Sequence, residues 1–130
     1  MKQEPKQVIV IRKDLNMRKG KMISQGSHVS MKVFLDLCEK NDNTYTFKFE
    51  PDSDWDRWLN GFFTKVVVSC DSEKELEELY QQAKDKGLPC SMIVDVGLTE
   101  FHNVPTKTCI AIGPADPEDV NEITKHLKLL

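Results

Sequence analysis

Lys21, Gln25, His28 and Lys32 recur at steps of three and four, the spacing that sets side chains along one face of an α-helix. An ammonium, an amide and an imidazole on one stripe can grip an anion and handle protons. The N–H groups at a helix start are unpaired and the helix dipole favours negative charge there. With Lys19 and Lys21 beside that start, a phosphate or a developing oxyanion would be stabilised. Far along the chain, Asp95 closes a strand-like run, and Thr106 and Thr108 open another. Whether these groups meet depends on the elements that carry them.

Gln7 to Arg12 reads as a strand buried on both faces. Met22, Gly26, Val29, Val33 and Leu37 mark the core stripe of a helix from about Lys21 to Glu39. Residues 41–58, acidic and aromatic, read as an insertion or long connection with local structure around Trp55 and Trp58. Lys65 to Cys70 is a second strand. Ser72 and Glu75 form a capping box for a helix with Leu76, Leu79, Tyr80 and Ala83 inward and Gly87 as its stop. Ser91 to Val96 and Thr108 to Ile112 are the remaining strands, the latter broken by Gly113-Pro114. Asp116 and Pro117 open a last helix.

These elements predict one α/β domain over residues 1–130, a mixed, mostly parallel four-stranded sheet with helices on both faces. Helical crossovers predict parallel pairing of the first three strands. The link from Gly97 to Lys107 has no helical stripe, so the fourth strand runs antiparallel. Ligands gather beyond the carboxyl ends of parallel strands. That rim collects the basic turn after Arg12, the start of the first helix, Asp95, Thr106 and Thr108.

Composition bounds the function. The chain has 130 residues, 39% hydrophobic and 30% charged, with net charge −3, which fits a globular domain rather than a disordered tail. No purely apolar run exceeds four residues, so no membrane span is expected, and the start lacks a secretory signal. The cytoplasm is the expected compartment. Arg12 to Lys32 holds six basic residues and one acid, enough to grip a few phosphates at one place. Cysteines 38, 70, 90 and 109 have no metal-knuckle spacing, and no metal is expected. Gly20-Lys21 is not a phosphate-binding loop, because Leu15 and Met22 occupy positions that need glycine and a hydroxyl. No Gly-x-Ser-x-Gly elbow occurs.

Lys19-Gly20-Lys21-x-x-Ser24-Gln25-x-x-His28, Lys65-Val66-Val67-Val68, Gly87-Leu88, Asp95-Val96-Gly97-Leu98-Thr99, Ile112-Gly113-Pro114 and the ending His126-Leu127-Lys128-Leu129 together resemble the archaeal/eukaryotic-type peptidyl-tRNA hydrolases. The resemblance spans nearly the whole chain, in order. It implies an enzyme that hydrolyses the ester of peptidyl-tRNA, without a cofactor, commonly as a homodimer. It carries the family's lysine onto Lys21, its carboxylate onto Asp95 and its threonines onto Thr99 and Thr108, with Gln25 and His28 at matching helix positions. In the mechanism so implied, Asp95 holds or deprotonates a water and Lys21 stabilises the oxyanion or the terminal phosphate. Thr99 and Thr108 orient Asp95 or the ester carbonyl, and His28 is the proton carrier if it reaches the site. Arg18, Lys19, Gln25 and Thr106 complete the substrate-binding set.

Leu98 stands where the family usually has arginine, and leucine cannot replace that planar donor. A second class therefore stays open: a weakened module on the same fold that binds tRNA ends or a protein. Each residue also has a plainer role, Lys21 as a surface lysine and Asp95 as a turn-former.

Overall fold

A computed structural model describes residues 3–97 and 100–130 of the chain. The elements are β1 (Lys6–Arg12), α1 (Lys19–Asp36), β2 (Glu39–Asn41), β3 (Thr44–Thr46), α2 (Asp54–Leu59), β4 (Lys65–Cys70), α3 (Glu73–Asp85), β5 (Cys90–Asp95), β6 (Thr106–Ala115) and α4 (Pro117–Thr124).

The main sheet has the order β4-β1-β6-β5. β1 and β4 pair in parallel, and β6 is antiparallel to both β1 and β5. The mixed four-stranded sheet is as expected, with β1, β4 and β5 pointing one way. The expected parallel pairing of all three is corrected, since β6 lies between β1 and β5. Its residues from Thr108 to Ala115 are all buried, so the centre of the sheet is where this strand loses least.

Alternation sorts the strand side chains onto two faces. Val8, Val10, Val68, Ile110 and Ile112 pack against Leu76, Leu79 and Ala83 of α3 and Val120 and Ile123 of α4. Ile9, Ile11, Cys109 and Ala111 pack against Val29 and Val33 of α1. Leu76 and Leu79 are essentially inaccessible, and burying each contributes roughly 1.5–3 kcal/mol. Helices thus cover both faces. The caps are those read from the sequence: the Ser72 hydroxyl accepts from the Glu75 N–H (3.0 Å), and Asp116 accepts from the Glu118 N–H (2.9 Å).

Two local expectations are corrected. α1 spans Lys19–Asp36, and Leu37 is half exposed rather than buried, while Gln25 takes a place in the buried stripe. β6 does not break at Gly113-Pro114 but continues to Ala115. The pairing with β1 shifts register between Lys6 and Val8, and proline is tolerated at such an irregularity because no ladder N–H is needed. Gly113 has φ +105, and a Cβ there would lie 2.4 Å from the Lys6 carbonyl oxygen. The local structure expected around Trp55 and Trp58 is α2, and residues 41–58 also contain most of a β2–β3 hairpin. Phe47 packs between Phe34 and Trp55, with ring centroids 4.6 and 4.8 Å away, and Trp58 donates its indole N–H to the Thr64 carbonyl (2.8 Å). Aromatic contacts thus dock the segment onto the far end of α1.

Candidate active site

Three elements converge at one edge of the sheet. α1 begins there with Lys19, β5 ends there with Asp95, and β6 starts there with Thr106, the Cα partner of Asp95. Lys21 donates from Nζ to Asp95 Oδ1 at 2.9 Å, and both side chains are only 13% exposed. Gln25 Nε2 donates to the same oxygen at 3.3 Å, and the Gly97 N–H donates to Oδ2 at 2.9 Å. Both carboxylate oxygens are therefore held. Gly97 is required for this: its φ is +87, and a Cβ would lie 2.4 Å from the Val104 carbonyl oxygen.

Thr108 enters through a β-bulge. Ile93 pairs with Cys109 and Val94 with Lys107, which leaves Thr108 as the extra residue of β6. A bulge re-aims a side chain that strict alternation would send to the opposite face. Thr108 and Cys109 consequently both turn towards α1. The Thr108 hydroxyl donates to Gln25 Oε1, and the Cys109 thiol donates to the Gln25 carbonyl (3.4 Å). A chain of bonds runs from Thr108 through the Gln25 amide to Asp95, inside the protein: Thr108 is fully buried and Gln25 is 1% exposed.

This environment fixes the charge of Asp95. Partial burial pushes its pKa up, but hydrogen bonds from Lys21, Gly97 and Gln25 and the charge of Lys21 outweigh that and hold it below the usual carboxylate value. The carboxylate is an anion at neutral pH, an acceptor that orients a donor rather than a strong base. Lys21 lies 5.7 Å from the centroid of the Phe101 ring, contributed by the loop after β5.

The sequence-predicted residues divide into three groups. Lys21, Asp95, Gln25 and Thr108 are brought together. Gln25, expected on the polar stripe bordering the core, is buried and donates to Asp95. Arg18 and Thr106 border the site, whereas Lys19, the first residue of α1, lines a cleft on the other flank of the helix. Arg18 is 92% exposed on its side chain and sits 3.8 Å from Glu100, and the Thr106 hydroxyl donates to the Val104 carbonyl (2.8 Å). His28 is exposed and its side chain makes no hydrogen bond among the described residues, so it is not brought into the cluster. Thr99 lies outside the described residues.

The residues that build this sheet and its rim fall almost entirely within the span of one known family. The family model for peptidyl-tRNA hydrolase PTH2 covers residues 5–130. The chain belongs to this family. Among curated proteins, a peptidyl-tRNA hydrolase of Methanocaldococcus jannaschii is 46% identical over 125 residues, covering 96% of this chain and 99% of that protein. Peptidyl-tRNA hydrolases of Methanococcus maripaludis and Thermococcus onnurineus are 39% and 40% identical, covering 95% and 96% of this chain and 97% of each relative. In this PTH2 member the match takes in both Lys21 and Asp95.

Three parts of the site went unread in the sequence. Gly97 donates to the carboxylate, Phe101 lies beside the ammonium, and Glu100 accepts from the Arg18 N–H at the start of α1 (3.4 Å). A glycine two residues after a strand-ending aspartate was the available signal for the first. Among the described residues, no group of three or more His, Cys, Asp or Glu is arranged to hold a metal ion.

Proposed function

We propose that this protein hydrolyses the ester of peptidyl-tRNA, or of N-blocked aminoacyl-tRNA, by direct attack of water. The observation that carries the reading is the Lys21–Asp95 pair, closed at 2.9 Å and nearly excluded from solvent, at the sheet edge where α/β proteins bind ligands. The buried pair is intact, so nothing favours the weakened binding module.

The roles follow from charge and geometry. Asp95, anionic and held at both oxygens, accepts a hydrogen bond from the attacking water and aims its lone pair at the ester carbon. The carbonyl oxygen gains negative charge as the new C–O bond forms, and the Lys21 ammonium neutralises it. The bond to the ribose 3′ oxygen breaks, one proton of the water ends on that oxygen and the other is released to solvent, giving free tRNA and a peptide carboxylate. Thr108 acts on Asp95 through Gln25 rather than touching substrate, so both are positioning residues. Arg18 and Lys19 meet the phosphates of the terminal nucleotides, with Thr106 bordering the ribose. Thr99 keeps the orienting role that the sequence resemblance implies. No step requires His28.

The test is cleavage of an N-blocked aminoacyl-tRNA by the purified protein. Lys21→Met and Asp95→Asn are each expected to lose about 100-fold or more in kcat, the scale of losing one group that stabilises a developing charge. No cleavage by the unaltered protein, or full cleavage by both variants, overturns the assignment.

We further propose that the protein works in the cytoplasm, a reading supported by its four free cysteines, since a reducing compartment keeps thiols unpaired. Among the described residues no helix is long and apolar enough to cross a membrane. It is further proposed to act as a homodimer. A cleft of about 980 Å³ runs along α1 on the flank away from Lys21, lined by Ile23, Met31, Phe34, Trp58, Phe63 and Leu130. Ile23 is 70% exposed there, and apolar surface of this extent marks association sites. Ile23→Glu should shift the protein to monomer mass in sedimentation. An unaltered protein already monomeric at micromolar concentration refutes the dimer.

A further inference from the structure

Phe101 sits where the reaction needs a flat apolar surface. Its ring centroid is 5.7 Å from the Lys21 ammonium, and among the described residues no other ring is placed over that group. The ring is half-buried against the core cluster that contains Ile11, Met17 and Val29. Its backbone is fixed as well. The Val104 N–H donates to the Phe101 carbonyl (2.9 Å), and His102 and Asn103 have φ of 51° and 64°, a tight turn with both central residues left-handed. The Asn103 N–H donates to the Gly97 carbonyl at 2.7 Å. Glu100, one residue before the ring, accepts from the Arg18 N–H. The ring is thus held at the site from both sides.

If the ester carbonyl lies at Lys21, the terminal ribose and its base follow within one sugar's width. Every tRNA ends in the same adenosine, while the peptide varies. A hydrolase that accepts any peptide gains constant affinity only from the nucleotide side. Aromatic rings supply such affinity by stacking, which needs no particular hydrogen-bond pattern.

We propose that the Phe101 ring is the platform on which the 3′-terminal adenine stacks, making it a substrate-binding residue; this rests on the reaction proposed above. The ring closes the apolar cluster with one part and presents the rest to the base. An aliphatic side chain can do the first job but not the second, which gives the test its discriminating variant.

The experiment measures kcat and KM on N-blocked aminoacyl-tRNA for the unaltered protein, Phe101→Leu, Phe101→Ala and Phe101→Trp. Inhibition by adenosine 5′-monophosphate is compared with that by ribose 5-phosphate, which lacks the base. Phe101→Leu and Phe101→Ala are expected to raise KM roughly fivefold or more, the lower end of stacking on one base, with a much smaller change in kcat. The advantage of the adenine compound should collapse in both, and Phe101→Trp should restore both readouts. Phe101→Leu with unaltered KM and an intact adenine advantage overturns the inference, because the ring then only packs. A KM penalty that varies with the peptide's last side chain rather than with the base overturns it too. An unaltered protein that cleaves nothing overturns the underlying reaction instead, so the two failures are told apart.

Discussion

Replacing Gln25 with leucine tests the buried chain from Thr108 to Asp95 most directly. The two side chains are similar in size, so the change removes an amide and little packing. Two hydrogen bonds disappear. The fully buried Thr108 hydroxyl loses the acceptor it uses in Gln25 and keeps only the Cys109 sulfur at 3.7 Å, a weak acceptor, and a buried polar group left nearly unsatisfied costs about 1–3 kcal/mol. Asp95 loses a donor at 3.3 Å. That bond is long, so the lower end of the range for charged partners, about 1.5 kcal/mol, is appropriate. Together the single change should destabilise the fold by about 3 kcal/mol, a large part of a typical net stability of about 5–15 kcal/mol.

The decisive comparison adds Thr108→Val to Gln25→Leu. Removing both members of a buried polar pair is far milder than stranding one. The double variant should therefore be more stable than Gln25→Leu alone by about 1–2 kcal/mol. Urea unfolding with a common m-value reads this directly. In hydrolysis, both variants should lose kcat more than KM, and the acidic limb should move to higher pH, because a bond that lowers the Asp95 pKa is gone. A double variant destabilised by the full sum of the two single changes refutes the chain of bonds as described.

Acid stability should depend on Asp95. Its folded pKa lies below the ordinary value of 3.8, so its contribution is complete above that value and disappears as pH falls through the folded pKa. Asp95→Asn should lower the melting temperature above pH ~4, where the carboxylate's contribution is complete, and the gap to the unaltered protein should narrow as pH falls below that. Binding of tRNA should weaken with salt. Removing Arg18 and Lys19 together should make the log–log slope shallower by about 0.7–0.9 for each phosphate no longer neutralised, measured by fluorescence anisotropy. Burial pushes the thiols of Cys70 and Cys109 up to about 11 and about 12, so an aromatic disulfide reagent at pH 8 should label only Cys38 and Cys90 until urea is added.

Strands and caps were legible because their signals are local. Val8–Ile11 and Val66–Val68 announce buried strands by composition, and Ser72 with Glu75 announces a helix start by spacing. The meeting of Lys21 with Asp95 was legible one level higher, from the rule that parallel strands end at one rim. What escaped depends on pairing between distant segments. Nothing local says that β6 sits between β1 and β5 rather than at an edge, and the position of Gly113-Pro114 at a register shift is set by Lys6 across the sheet. Thr108 reads as a strand residue whose side alternation would decide, yet one unpaired residue in the ladder reverses that side. Gln25 reads as polar and hence exposed. It is buried because Thr108, Asp95 and Cys109 together satisfy its amide and carbonyl, a condition visible only once the bulge is known. The β2–β3 hairpin escaped because its strands are three residues each and mostly exposed, leaving no periodic apolar signal.

The net charge of −3 looks unfavourable for a substrate that is a polyanion, but the charge is separated across the sheet. α1 carries Lys19, Lys21 and Lys32 and no acid before its last residue, Asp36, and the exposed Arg18 precedes it. On the opposite face, α3 has five acids against two lysines, and α4 has three acids and no base. The acidic face repels a phosphate backbone while the first turn of α1 attracts it, so approach is restricted to the α1 side of the rim. That is also the side on which the bulge at Thr108 turns its hydroxyl and on which Gln25 and Lys21 reach Asp95. Charge distribution and strand irregularity, unrelated as physical devices, select the same face for the same event. An acidic protein therefore needs no general affinity for nucleic acid to bring one ester bond to one carboxylate.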